Sequence, residues 1–481
     1  MKRAIFPLLA GTLALGACDT DLTIPNYNAP SIGDLQANPT NSAVLTAATG
    51  LFIGTRQGQA EYIRIGAIPG REGYFVDPNE GRYVRQLAAG TPDASDFTGG
   101  SYWAAPYNAI RTGTLIRSVV DDPRLTLSAS ERASVKGFVK TMQALNYIQI
   151  LNWREQIPIA VDVSPEAAPA PLVGRAEAYA FISSLLDEGN TDLGSATGAF
   201  PFQTGSGLGQ YGFNQVAAFR QFNRALKARV EVYRATLGTT PTAANYTAAL
   251  AALQGSFLNA TLATRAELNR GVYFSYSPTS GDLTNSNFDN SGRLIADNRN
   301  RKEAQLQASG ARDARVLLKQ DSAVIATDGT ASFTNRASLG LSSTERFRLY
   351  DTRPFFGSGG NTSPIPVIRN EELILLRAEA RYFTGDVGGA LADLNFVRVN
   401  SGGLAPLVAG DIDTAAKFIT RLLYERRYSL LFEGGHRWID HRRFGRLAEL
   451  NSTGVADPTR ANDKTFSFFP LPINEQLARG L

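Results

Sequence analysis

The chain has one cysteine, two histidines and two methionines in 481 residues, and only 8 of its 48 basic residues are lysine. A lone cysteine excludes a disulfide framework and a cysteine-based structural zinc site. The two histidines, His436 and His441, are spaced i,i+5. They miss the i,i+4 geometry of a helical metal pair and leave little for triad chemistry. A GxSxG elbow and an HExxH helix are both absent. No stretch gathers five basic residues, so the net charge of +4 does not describe a nucleic-acid face. No apolar run reaches the ~20 residues needed to cross a bilayer. What is present is material for a large core: 43% of residues are hydrophobic and 19% charged. That balance excludes a chain disordered throughout.

The one cysteine has a meaningful place. Met1-Lys2-Arg3 precedes an apolar run from Ala4 to Leu15, which has the charged start and short core of a secretory signal. The run closes with Leu15-Gly16-Ala17-Cys18, which resembles the lipobox of bacterial lipoproteins. Residues 1–17 are therefore expected to be removed, with Cys18 lipidated and residues 18–40 forming a tether rich in Pro, Asn and Asp. Asp19 leaves the inner membrane open as an alternative destination.

Helical periodicity begins near residue 42 with Ala43, Leu45, Ala48, Leu51 and Phe52. Residues 54–100 read mostly as loop with one short helix. Further helices are expected at about 101–120, 130–152, 175–188, 213–236 and 243–258. Ser128 and Ser130 are candidate N-caps before Glu131. Residues 189–212 are glycine-rich and read as loop, and periodicity fades from 271 to about 366. Helices resume near Arg369: Leu373, Leu376, Ala380 and Phe383 share one face, Gly385 can cap that helix, and Asp386 can start the next, which reaches about Val399. A third runs from about Thr414 to Phe432. Successive helix pairs of this length predict a mainly α fold, a tetratricopeptide-like scaffold of helical hairpins with a loop-rich second lobe. The expected regions are 41–270 (helical), 271–366 (loop-rich insertion) and 367–481 (helical).

Two C-terminal segments carry a family resemblance. Leu373–Arg398, LILLRAEARYFTGDVGGALADLNFVR, and Glu425–Gly445, ERRYSLLFEGGHRWIDHRRFG, resemble motifs of the SusD/RagB family of outer-membrane nutrient-binding lipoproteins. Phe469-Pro470-Leu471-Pro472, Val135–Pro158 and the Trp103, Tyr107, Ile110 helix start are similar to further family segments. Departures are Ser429 in place of a usual Glu, an extra Gly435, Gly113 in place of a common Asn, and a missing Asn-Pro-Gly-Tyr tail. The resemblance implies capture of oligosaccharides or peptides at the outer membrane of a diderm bacterium. It also implies delivery, without reaction, to a SusC-like TonB-dependent transporter. The alternatives are a helical scaffold lipoprotein without a nutrient ligand, and a lipoprotein glycosidase.

Neither a cofactor nor a resident metal is expected. Gly207–Gly212 fits GxGxxG formally but lacks a βαβ context. Asp77-Pro78-Asn79-Glu80-Gly81 lacks the closing Glu of an EF-hand and reads as a turn. Glu425, Arg426, Glu433, Arg437, Asp440 and Arg443 read as a charge network locking the last helices together. Sugar rings pack on aromatic faces while their hydroxyls need polar partners. The two least periodic regions supply both, so the expected ligand platform is Tyr74, Tyr83, Tyr276 and Phe288, with Asp77, Arg82, Asn287 and Asp289 as polar partners. Trp103 and Trp438 are assigned to the helical framework.

Overall fold

The computed structural model describes residues 32–77, 79–95, 100, 102–164, 169–280, 282–286, 294–322, 343, 345–347, 362–451 and 464–481. Cys18, the signal segment and the Asn287-Phe288-Asp289 group lie outside the described residues.

Helix α1 (Asn41–Arg56) starts on Thr40, whose hydroxyl accepts from the Ala43 amide at 3.2 Å. Helix α2 (Gln59–Ala67) follows almost at once, and a π-helical stretch spans Tyr83–Ala88. Residues 54–100 thus hold more helix than their weak periodicity predicts. Every residue of α2 except Glu61 is buried, Gln59 and Arg64 included, so its polar residues do not mark a solvent face; at nine residues the helix is also too short for a sustained period.

Helix α3 (Ala104–Val119) leads into α4 (Ala129–Arg154). Of the two candidate caps, Ser128 does the capping. Its hydroxyl accepts from the Glu131 amide at 3.2 Å, and the Glu131 carboxylate accepts from the Ser128 amide at 2.8 Å. Ser130 instead accepts from the Thr197 amide. The second half of α4 is buried throughout, so its polar side chains must find partners inside. Gln143 donates to the Ile110 carbonyl at 2.9 Å, Asn146 to Thr55 at 2.9 Å and Gln149 to Gln59 at 2.8 Å.

Helix α5 (Arg175–Gly194) runs past the expected end at 188. Its glycines serve contact rather than a loop. Gly189 faces Gly137 of α4: a Cβ on Gly137 would stand 2.9 Å from the Gly189 carbonyl oxygen, and one on Gly189 would stand 3.3 Å from the Gly137 carbonyl oxygen, so the two helices approach closely at this pair. Next come α6 (Val216–Ala235), α7 (Ala243–Gln254), α8 (Asn370–Phe383), α9 (Val387–Gly402), α10 (Ala415–Ser429), α11 (His436–Arg443) and α12 (Ile473–Arg479). Asp386 caps α9 through the Gly389 amide at 2.8 Å, as its position predicts.

From α3 onward, α4, α5, α6, α7, α8 and α9 each pack on the helix before, α1 lies on α3, and α10 lies on α8 and α9. This is a mainly α stack of hairpins, interrupted between α7 and α8 by the loop-rich region. That region returns to the stack through short antiparallel ladders. Gly271–Phe274 pairs with Ile365–Arg369, and Leu294–Ala296 pairs with Gly73–Phe75. One apolar core runs from Leu35 to Phe469 and takes side chains from both ladders.

Candidate functional site

The expected aromatic platform lies inside the protein. Tyr74, Tyr83 and Tyr276 are 8%, 6% and 6% exposed, which leaves almost no ring face for a sugar. Tyr74 donates to Asp297 at 2.8 Å. Tyr83 packs edge-on against Phe75, with centroids 4.8 Å apart. The Arg56 guanidinium stands 5.9 Å from the Tyr276 ring centre. The expectation of exposed rings is therefore corrected. Tyr74 lies in a strand ladder, Tyr83 in the π-helical stretch and Tyr276 just after a strand, and all three pack into the apolar core, where large aromatics gain more from burial than from exposure. Asp77 and Arg82 stay half-buried at the surface. Asp77 shapes a turn through the Asn79 amide at 2.9 Å, and Arg82 pairs with Glu80. The GxGxxG segment holds a short helix, Gly205–Gly209, rather than a strand-to-helix turn.

The charge network is as dense as the spacing predicts. Arg426 bonds Asp440 at 2.6 Å, and Asp440 meets Arg443 at 3.1 Å. Glu425 holds Arg398 at 2.9 Å and Arg315 at 2.7 Å. Arg369 grips Glu433 through two bonds of 3.0 and 2.6 Å, and Lys319 reaches the same carboxylate at 2.7 Å. Burial alone would raise the Glu433 pKa, but Arg369 and Lys319 outweigh it and hold the carboxyl at about 2. Glu371 is engaged by Arg369 and by Ser429, the residue that departs from the family pattern. Glu372 is clamped by Arg229 at 2.7 and 2.6 Å. Burial pushes both histidines down to about 4, so they are neutral near pH 7. Among the described residues, no group of three His, Cys, Asp or Glu side chains could hold a metal ion. Gly435, the extra glycine, has φ +74, and a Cβ there would stand 2.9 Å from the Gly66 carbonyl oxygen. It lets the start of α11 close onto α2.

A surface cleft of about 720 Å³ opens elsewhere, between the first turns of α3 and the terminal helix α12. That volume suits a small saccharide or peptide. Trp103, the residue before α3, donates its indole N–H to Glu475 on α12 at 3.1 Å. The Trp103 and Tyr107 ring centroids lie 4.7 Å apart, and the Tyr107 hydroxyl is fixed to the Ala160 backbone at 2.9 and 3.0 Å. Arg479 of α12 donates to Glu475 at 2.6 Å and to the Ala170 carbonyl at 2.8 Å. Beneath Trp103, the Arg154 guanidinium stands 5.1 Å from the ring centre. Burial lowers the Arg154 pKa to about 9, so it stays charged at neutral pH. Glu61, Asn108, Arg111 and Asn474 complete the polar lining.

Sequence reasoning singled out Trp103 and Tyr107 only as a helix start. Their spacing with Arg111, i,i+4,i+8, is the signal that could have marked a functional face. Glu475 on α12 lies 372 residues from Trp103, and no local pattern points to it.

Residues 266–471 match the SusD family model. The fold is similar to that of a SusD-like carbohydrate binding protein from Bacteroides fragilis at 15% identity, with 91% of this chain and 98% of that chain covered and a TM-score of 0.66. It is similar to surface glycan-binding protein A from Bacteroides thetaiotaomicron, solved in complex with laminarihexaose, at 13% identity, 91% and 98% coverage and a TM-score of 0.63. A SusD superfamily protein from Parabacteroides distasonis is 15% identical, with 91% and 97% coverage and a TM-score of 0.65. Among curated protein sequences, none matches the chain.

Proposed function

From the match of residues 266–471 to the SusD family model, we propose that the chain is a SusD/RagB-type protein, a lipid-anchored glycan-binding protein of a diderm outer membrane. It captures oligosaccharides in the α3–α12 cleft and passes them, unreacted, to a SusC-like TonB-dependent transporter. The observation that carries this reading is the cleft itself, which combines apolar walls and the half-buried Tyr107 ring with amide, guanidinium and carboxylate groups. It sits on a fold shared, over most of both chains, with a protein in complex with laminarihexaose. The burial of Tyr74, Tyr83 and Tyr276 is the reason the proposed site lies here rather than on those rings.

The test is calorimetry on protein lacking residues 1–18, using laminarihexaose and an oligosaccharide panel, with product analysis after long incubation. Saturable binding with intact sugar is expected. Time-dependent products that vanish when one carboxylate is replaced would establish a glycosidase instead. Binding to no sugar, with a protein partner recovered from detergent-solubilised envelope, would favour the scaffold reading. The transporter assignment requires a large β-barrel among the recovered partners in roughly stoichiometric amount.

Anchoring makes a separate prediction. Among the described residues no helix is long and apolar enough to cross a membrane. Acyl chains on Cys18 would each contribute about 0.8 kcal/mol per buried CH₂. Cys18→Ala should leave the protein unprocessed or released, and fatty-acid probe labelling should vanish. A wild-type protein that takes no label would overturn the lipoprotein assignment.

A further inference from the structure

We propose that the ligand of the α3–α12 cleft carries a carboxylate, and that it is an acidic saccharide held by Arg111 and Asn108; this rests on the glycan-binding reading above. Trp103, Tyr107 and Arg111 recur every four residues and Asn108 follows Tyr107, so all four present one side of α3 to the cleft. Residues three apart on a helix have Cβ atoms about 5–6 Å apart, which places the Asn108 amide beside the Arg111 guanidinium.

The hydrogen bonds of the cleft separate these two side chains from their neighbours. Glu475 spends one oxygen on Trp103 and the other on Arg479. Arg479 is held by Glu475 and by the Ala170 carbonyl. The Tyr107 hydroxyl is taken by the Ala160 backbone. Arg111 and the Asn108 amide, both exposed, have no hydrogen-bond or ion-pair partner among the described residues. They are the donors left for a ligand.

Charge points the same way. The Glu475–Arg479 pair cancels. The exposed Arg111 guanidinium at the rim then adds a positive charge to the cleft. A neutral sugar that covered Arg111 would remove water from a guanidinium and return no opposite charge, which is costly. A carboxylate meets the planar fork with two parallel bonds. The Asn108 amide bonds the carboxylate or a neighbouring hydroxyl, while Ala104, Pro169 and Ala170 offer apolar surface to the C–H face of a sugar ring.

The experiment is calorimetry with matched pairs. Trigalacturonate is compared with its methyl ester, which keeps the sugar and removes the charge. A sialylated and a glucuronate-bearing oligosaccharide, laminarihexaose, and a short peptide with a free C-terminal carboxylate complete the set. At least one acidic sugar should bind roughly 10- to 150-fold more tightly than its neutralised form, the range expected for a charge-assisted hydrogen bond. Arg111→Ala should abolish that preference and Arg111→Lys should restore part of it. Unchanged melting temperatures, expected for an exposed helix position, would keep the comparison valid. Equal binding of charged and neutralised sugars overturns the proposal and leaves the glycan reading intact. Binding of the peptide alone overturns both, as does binding of nothing in the set.

Discussion

Arg369→Ala is expected to destabilise the protein by about 3–5 kcal/mol, because it leaves buried carboxylates without their main counter-charge. Arg369 is 1% exposed. It closes the Ile365–Arg369 strand and donates to Glu433, to Glu371 at 3.0 Å, to the Asn269 side chain at 2.9 Å and to the Ser429 carbonyl at 2.7 Å. One guanidinium thereby fastens the strand, the start of α8 and the turn after α10. Lys319 alone cannot replace that geometry, since an ammonium lacks the fork. The double variant Arg369→Ala/Glu433→Ala should lose less than the sum of the two single losses, as expected for partners in one network.

The same pair sets an acid limit. The Glu433 carboxyl is held at about 2, below its ordinary 4.5, so its contribution is fully present above pH 4.5 and lost as pH falls toward 2. In Arg369→Ala the carboxyl titrates nearer its ordinary range, and this part of the acid transition shrinks. Denaturant melts at several pH values between 3 and 7 check both points. A loss under about 1 kcal/mol, or an unaltered acid limb, would show that the pair does not hold these segments.

The second large effect is expected at Phe469. Its ring is fully buried and stacks on Trp153 with centroids 4.4 Å apart. It also meets Phe466 at 4.9 Å and Trp438 at 5.7 Å, and its amide donates to the Trp153 carbonyl at 2.8 Å. Phe469→Ala should cost about 3–5 kcal/mol, the range for deleting a buried aromatic from a packed core. The consequence reaches the cleft, since Phe469 anchors the segment that carries Glu475 and Arg479. Ligand affinity should therefore fall even under conditions where the variant is folded. Equilibrium denaturation followed by tryptophan fluorescence, with calorimetry on the folded variant, measures both. Normal affinity with a large stability loss would separate the stack from the cleft.

The reach of the sequence differs between these features. Apolar spacing marked α8 directly, since Leu373, Leu376 and Ala380 recur at helical intervals and lie in the core, and Ser128 and Asp386 cap where their positions predict. The alternating charges after Glu425 announced a network, because opposite charges a helical turn apart can pair within one element. Local patterns failed elsewhere. Helix α2 is short and buries its polar Gln59 and Arg64, and Gly189 resembles loop composition although it serves helix contact. The aromatic-rich loops were legible as composition, yet composition does not say whether a ring faces solvent or core. That depended on the pairing of Gly73–Phe75 with Leu294–Ala296, a contact made across more than 200 residues. The cleft depends on a longer one still, between Trp103 and Glu475. Periodicity records what each residue does within its own helix or strand. Which distant surfaces meet is decided by the packing of the whole stack, and so the site became visible only in the tertiary structure.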